Sequence, residues 1–186
     1  GQNETLLVVT AADTTNGIAT AVNTGITVDG VTYNGSSSGP VYSGAEEFYR
    51  SFSYHNSTNL PEGVFDHTPN ATSFKETFSS NSYESIPPGL FDHTPGVTNF
   101  FATFSYNELS SIPEGLFDHT PNVTNFLGTF IGNKLESVPA GLFDTQTACT
   151  NYEMAFDNND LDQTGVDNIL VSVLASANAN NLDNGI

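Results

Sequence analysis

Basic residues are nearly missing from this chain of 186: Lys75, Lys134 and Arg50 stand against 21 acids, for a formal net charge of -18. Such a surface repels phosphate backbones and anionic headgroups, which argues against nucleic-acid and membrane-surface binding. The acidity favours solubility, and attraction of divalent cations is the alternative. Cysteine occurs once, at Cys149, so no intramolecular disulfide can form. No apolar run reaches the roughly 18 residues that span a bilayer, so membrane insertion is not expected. The opening GQNETLLVVTAA lacks a basic n-region and an extended apolar h-region, so a signal peptide is expected to be absent or already removed. No Ser/His/Asp order, HExxH, GxSxG or phosphate-binding Gly loop appears, so an enzyme is not expected.

What is present is a repeat. The apolar share of 37% and the 14 phenylalanines can supply a core. Phe52, Phe78, Phe104, Phe130 and Phe156 are successive steps of 26 residues with no insertion. Pro61, Pro87, Pro113 and Pro139 keep the same step, as do Gly63, Gly89, Gly115 and Gly141, then Phe65, Phe91, Phe117 and Phe143, then Asp66, Asp92, Asp118 and Asp144. A constant period of this size predicts a solenoid whose units bury their apolar faces against one another. Cys149 shares its column with Ala45, Ala71, Val97 and Val123, which makes it a small core residue rather than a nucleophile.

Each unit reads as two structures. In Val97 to Phe104 the apolar residues fall at i, i+3, i+4 and i+7, one face of a helix. Thr94 and Pro95 supply its N-cap and first position, repeated at Thr68-Pro69 and Thr120-Pro121 but not at Thr145-Gln146. A turn bearing Asn81, Asn107, Asn133 or Asn159 comes next, then a short segment such as Leu109 to Ile112 that suits one brief parallel strand. The phenylalanines are expected to stack between strand and helix layers, with the asparagine amides bonding loop groups of neighbouring units.

Residues 1–42 differ in pattern from the repeats. Ile26 to Tyr33 reads as a hairpin through Asp29-Gly30, Asn34 to Gly39 as a linker, and the whole as an N-terminal β cap or attachment element that could also serve homo-oligomerisation. Residues 43–162 form the repeat array. In 163–186, Val166, Ile169, Leu170, Val173 and Leu174 fall on one helical face expected to close the stack, with a polar tail from Asn178.

The run Asn-x-Leu-x-Ser-Ile-Pro-x-Gly-Leu-Phe-Asp at Asn107 to Asp118, repeated with Val138 at Asn133 to Asp144, resembles the leucine-rich repeat superfamily. With the Val-Thr-Asn-Phe-x-x-Thr-Phe half, the unit is most similar to divergent bacterial surface-protein repeats that also occur in phage structural and fibre proteins. The resemblance runs from Ala45 to Leu161. It departs in lacking the longer Leu-x-x-Leu-x-Leu strand and in replacing most leucines with phenylalanine. It implies a right-handed α/β solenoid with one short strand and one helix per unit, used for protein or glycan binding at a cell or virion surface, usually without catalysis.

Other clusters have plainer roles. His67, His93 and His119 come directly after the unit aspartates. Adjacent units stand about 5 Å apart in a strand layer and about 10 Å apart in a helix layer, too far for one zinc ion. A turn-packing role is preferred, with Asp66, Asp92, Asp118 and Asp144 accepting turn amides. Asp157 to Asp162 looks like a calcium loop but has Leu161 at the fifth position and no glycine at the sixth, so the match fails; no cofactor is expected, with bound calcium as the minor alternative. Sequons at Asn3, Asn34, Asn56, Asn70 and Asn122 are read as incidental. The variable surface columns, Thr58, Glu84, Ser110 and Glu136 with Glu62, Pro88, Glu114 and Ala140, are the expected binding face. They suit a cationic protein or a cation-bridged glycan. The leading expectation is a structural or adhesive module on a virion, as a phage fibre or decoration protein. The alternatives are a bacterial surface adhesin, a self-assembling extracellular filament subunit, and a cation-dependent glycan enzyme.

Overall fold

The computed structural model describes residues 26–28, 31–33 and 46–183. Strands β1 (Ile26–Val28) and β2 (Val31–Tyr33) form an antiparallel hairpin pairing Ile26 with Tyr33 and Val28 with Val31. The linker at Asn34 to Gly39 and the residues of the N-terminal segment outside these strands lie outside the described residues.

From residue 46 the chain winds into stacked coils, and the expected helix of each unit does not form. The stretch from Val97 to Tyr106 is a chain of tight turns. Asn99 Oδ1 accepts the Phe101 amide at 2.9 Å, and Asn125 and Asn151 do the same two residues on. This local side-chain bond competes with helical bonding. Turn bonds then link Thr103 N–H to Phe100 and Ser105 N–H to Ala102. Two positions in each such run of turns are left-handed: Arg50, Glu76, Ala102, Gly128 and Met154 at φ 50–62°, and Tyr54, Ser80, Tyr106, Gly132 and Asn158 at φ 55–71°. No helix tolerates such residues in its interior.

Those turns also carry the main inter-coil ladder. Phe74, Glu76, Phe78 and Ser80 donate their amides to the carbonyls of Asn99, Phe101, Thr103 and Ser105, at 2.8–2.9 Å. Parallel bridges join Glu47, Ser73, Asn99, Asn125 and Asn151 in sequence. The segment expected as a strand forms none and is the sparser side, with only scattered bonds such as Glu108 N–H to Tyr83 and Lys134 N–H to Leu109. There the amide donates back to the preceding coil, as Thr98 N–H also does to Thr72, whereas the four turn-side amides just named donate to the next.

Three aromatic columns fill the interior. Phe52, Phe78, Phe104, Phe130 and Phe156 stack at 5.3–5.5 Å between ring centroids. Phe48, Phe74, Phe100, Phe126 and Tyr152 stack at 5.2–5.7 Å. Phe65, Phe91, Phe117 and Phe143 stack at 6.0–6.2 Å and tilt against both other columns. No layer has the wider helix spacing.

The asparagines bond across coils. Asn133 donates to Phe104 and Phe130 carbonyls at 2.9 Å, and its Oδ1 accepts the buried Leu109 amide at 3.1 Å. Asn81, Asn107 and Asn159 repeat the pattern. Thr77, Thr103 and Thr129, also buried, donate to the phenylalanine carbonyl 29 residues earlier at 2.8–2.9 Å. The expected N-caps Thr68, Thr94 and Thr120 cap nothing: each is buried and bonds the phenylalanine carbonyl three residues back.

Helix α1 (Gln163–Asp183) comes after the last coil and includes the first residues of the expected tail. Asp162 caps it, accepting the Gly165 amide at 2.7 Å. Its buried face differs from the one expected. Gly165, Ser172 and Ser176 are buried, Ile169 and Val173 half-buried, and Val166, Leu170 and Leu174 exposed. The coil edge demands polar partners and close approach. Phe143 N–H donates to Ser172 Oγ at 2.7 Å, Ser172 Oγ to Asp144 Oδ1 at 2.8 Å, Ser176 Oγ to the Gln146 carbonyl at 2.7 Å, and Asn168 Nδ2 to the Val138 carbonyl at 2.8 Å. A Cβ on Gly165 would stand 3.1 Å from Ser137 Cα.

Candidate interaction face

The expected binding columns are all exposed: Thr58, Glu84, Ser110 and Glu136 in one, and Glu62, Pro88, Glu114 and Ala140 in the other. Each coil contributes one glutamate, alternating between the columns, so no two adjacent coils carry glutamate in the same one. At the short coil spacing this stagger reduces like-charge repulsion. None of these carboxylates meets a cation in a described ion pair.

A second face was missed by the sequence reading. It lies on the turn side and gathers Tyr49, Arg50, Tyr54, Lys75, Phe101 and Tyr106. Tyr54 and Tyr106 are 64% and 58% exposed, and Tyr49 50%. Arg50 Nε donates to Glu76 Oε2 at 2.6 Å, which raises the guanidinium pKa, and its carbon sits 5.1 Å from the Tyr49 ring centre and 5.9 Å from that of Tyr54. Lys75 Nζ lies 5.2 Å from both the Tyr49 and the Phe101 ring centres, so an ammonium is held between aromatic rings of the coils on either side. Gly132 gives the Tyr106 ring its room, since a Cβ there would stand 2.7 Å from Tyr106 Cδ1. Two of the three basic side chains are on this face, and Met154 extends it, 48% exposed. The signal available in sequence was tyrosine in columns adjacent to, but outside, the phenylalanine columns.

The remaining candidate residues have plain surroundings. His67, His93 and His119 are exposed, and His119 Nδ1 lies 3.1 Å from Asp92 Oδ1. No backbone amide among the described residues donates to the carboxylates of Asp66, Asp92, Asp118 or Asp144, contrary to expectation. They fold over the glycine three residues earlier instead. Among the described residues no group of three or more His, Cys, Asp or Glu is placed to hold a metal ion, and no helix is long and apolar enough to cross a membrane. Cys149 is buried, and burial pushes its thiol pKa up.

No family model matches the chain, and no curated protein matches it significantly. Similar solved structures include the leucine-rich repeat domain of APL1B, at 24% identity and a TM-score of 0.48, covering 58% of this chain and 29% of that one. The LRIM1/APL1C complex is similar at 21% identity and a TM-score of 0.43, covering 58% of this chain and 25% of that one. The chain thus spans less than a third of the length of either.

Proposed function

We propose that this chain is a non-enzymatic binding module, in which a rigid stack of coils presents the tyrosine and basic face to a protein partner. The observation that carries the reading is the gathering of Tyr49, Tyr54, Tyr106 and Met154 with Arg50 and Lys75 on one side of an otherwise acidic molecule. Tyrosine, arginine and methionine are the residue types enriched where protein interfaces bury their energy. Rings fixed by the coil ladder lose little freedom on binding, which favours affinity. The repeat resemblance suits display on a virion, as a fibre or decoration protein, or on a cell surface as an adhesin.

The test uses a photo-crosslinking residue at position 106 in one protein and at position 62 in another, each exposed to surface extracts of the source. Crosslinks to a protein at 106 and not at 62, lost when Tyr54 and Lys75 are changed to Ser, support the reading. Serine already stands at position 80 in the Tyr54 column, so that change is expected to fold. Crosslinks confined to position 62 transfer the role to the glutamate columns, and glycan adducts alone overturn the protein reading.

A further inference from the structure

The turn-side ladder has a direction. In every coil the four amides at positions equivalent to 48, 50, 52 and 54 donate to the next coil, as Phe126, Gly128, Phe130 and Gly132 do to Asn151, Glu153, Ala155 and Asp157 at 2.8–2.9 Å. The last coil repeats these amides on Tyr152, Met154, Phe156 and Asn158, and among the described residues nothing accepts from them. The first coil shows the complement. The carbonyls of Glu47, Tyr49, Ser51 and Ser53 receive no bond from any described donor, although their counterparts in later coils all do.

Helix α1 does not close the open row. Its hydrogen bonds reach Val138, Phe143, Asp144, Gln146 and the Tyr152 hydroxyl, and none goes to the amides of residues 152 to 158. Tyr152 and Phe156 end their aromatic columns half-buried, while Phe126 and Phe130 one coil earlier are fully buried. Val166, Leu170, Val171 and Leu174 lie exposed on α1, which takes the place of a further half-coil against residues 137 to 146. An unpaired row of backbone groups beside uncovered apolar side chains is a template for another chain.

We propose that copies of this chain dock end to end, the last coil of one on the first coil of the next. The amides of Tyr152, Met154, Phe156 and Asn158 then donate to the carbonyls of Glu47, Tyr49, Ser51 and Ser53 of the second copy. The donor row and acceptor row match in number and register, because both belong to a ladder already formed four times within the chain. Tyr152 stacks on the second copy's Phe48, and Phe156 on its Phe52. The contact joins unlike ends and does not close on itself, so it propagates. Each copy carries a formal charge of -18, so the association strengthens as salt screens the repulsion.

The docking puts Thr150 of one copy beside Glu46 of the next, as Thr124 stands beside Thr150 within the chain. The full-length chain carrying Cys149→Ser, Glu46→Cys and Thr150→Cys is expected to form covalent dimers and longer ladders on mild oxidation. Within one chain these positions lie four coils apart, so an internal disulfide cannot form. A control carrying Cys149→Ser, Glu62→Cys and Thr150→Cys is expected to form no such covalent ladder, because position 62 does not meet position 150 across the contact. Sedimentation velocity of the unmodified chain should show mass rising with concentration and with salt. Met154→Glu, which sets a carboxylate on the donor edge, should weaken association at least tenfold. Glu76 already occupies that left-handed column, so this variant keeps its fold. A chain that stays monomeric at millimolar concentration in high salt, or ladders no more abundant than the control's, overturns the proposal. Cross-linking of residues 1–45 of the same chain onto residues 47 to 53 overturns it too, since the acceptor row would then be occupied internally.

Discussion

The carboxylate of Asp118 lies over Gly115, its Oδ2 3.0 Å from where a Cβ on that glycine would stand. Gly63, Gly89 and Gly141 sit under Asp66, Asp92 and Asp144 in the same way, each with φ between 64° and 74°. The left-handed column at Ala102 accepts Arg, Glu and Met without such a lid. Glycine in the first column is therefore required twice, by its dihedral and by its neighbour.

Gly115→Ala is expected to cost about 2 kcal/mol, combining the left-handed penalty with displacement of Asp118. Adding Asp118→Ala should return the displacement part and leave the dihedral part. Urea midpoints for the four proteins of the cycle would show this as a favourable coupling. Strict additivity would mean that the carboxylate gives way freely.

Asn133→Ala should destabilise by on the order of 3 kcal/mol, because it strands the fully buried Leu109 amide. Asn159→Ala makes the same deletion where the asparagine is half-exposed and water can replace it. About half the loss is expected there, and equal losses would contradict the role of burial. Paired thermal or urea unfolding of the two variants decides the matter.

Gln146 replaces the threonine of its column and is fully buried, and its Oε1 has no partner among the described residues. Gln146→Met removes that orphan at similar volume, while the Phe117 carbonyl keeps the Thr120 bonds. A gain of about 1 kcal/mol in unfolding free energy is expected. A loss would show that the Nε2 bond to Phe117, at 2.8 Å, outweighs the stranded acceptor.

Burial holds the Tyr152 phenol protonated well beyond its ordinary range, and the Cys149 thiol is raised by the same cause. Both groups keep their protons longer folded than unfolded. Stability from them is complete below about pH 8, and it falls as the unfolded chain ionises from about pH 9 to 10 upward. Tyr152→Phe should flatten the decline above pH 10 in denaturation curves, while lowering the plateau through loss of the 2.9 Å contact with Ser176. A decline of unchanged steepness would assign the effect elsewhere.

The period, the phenylalanine columns and the existence of a terminal helix were legible because they depend on side-chain spacing alone. The turn half was not. Val97, Phe100 and Phe104 are buried at helical intervals, but a left-handed residue, Ala102, stands between the last two and another, Tyr106, comes two residues after, and neither residue type advertises that conformation. Asn99 was the available clue, through its bond two residues on. The buried face of α1 was misread for a related reason. Periodicity reports where apolar residues could be covered, whereas this coil edge is met by hydroxyls and a glycine. The tyrosine and basic face is not legible from column variation, because the column of Thr58 and Glu84 varies just as those of Tyr49 and Tyr54 do.

Near-identical coils raise the problem of counting, since a partly folded array could seat α1 one unit too early. Ser176 distinguishes the last coil by its 2.9 Å contact with the Tyr152 hydroxyl. The equivalent residues Phe48, Phe74, Phe100 and Phe126 have no hydroxyl to offer. One oxygen atom thus gives the last coil a bond to α1 that no earlier residue of its column can offer.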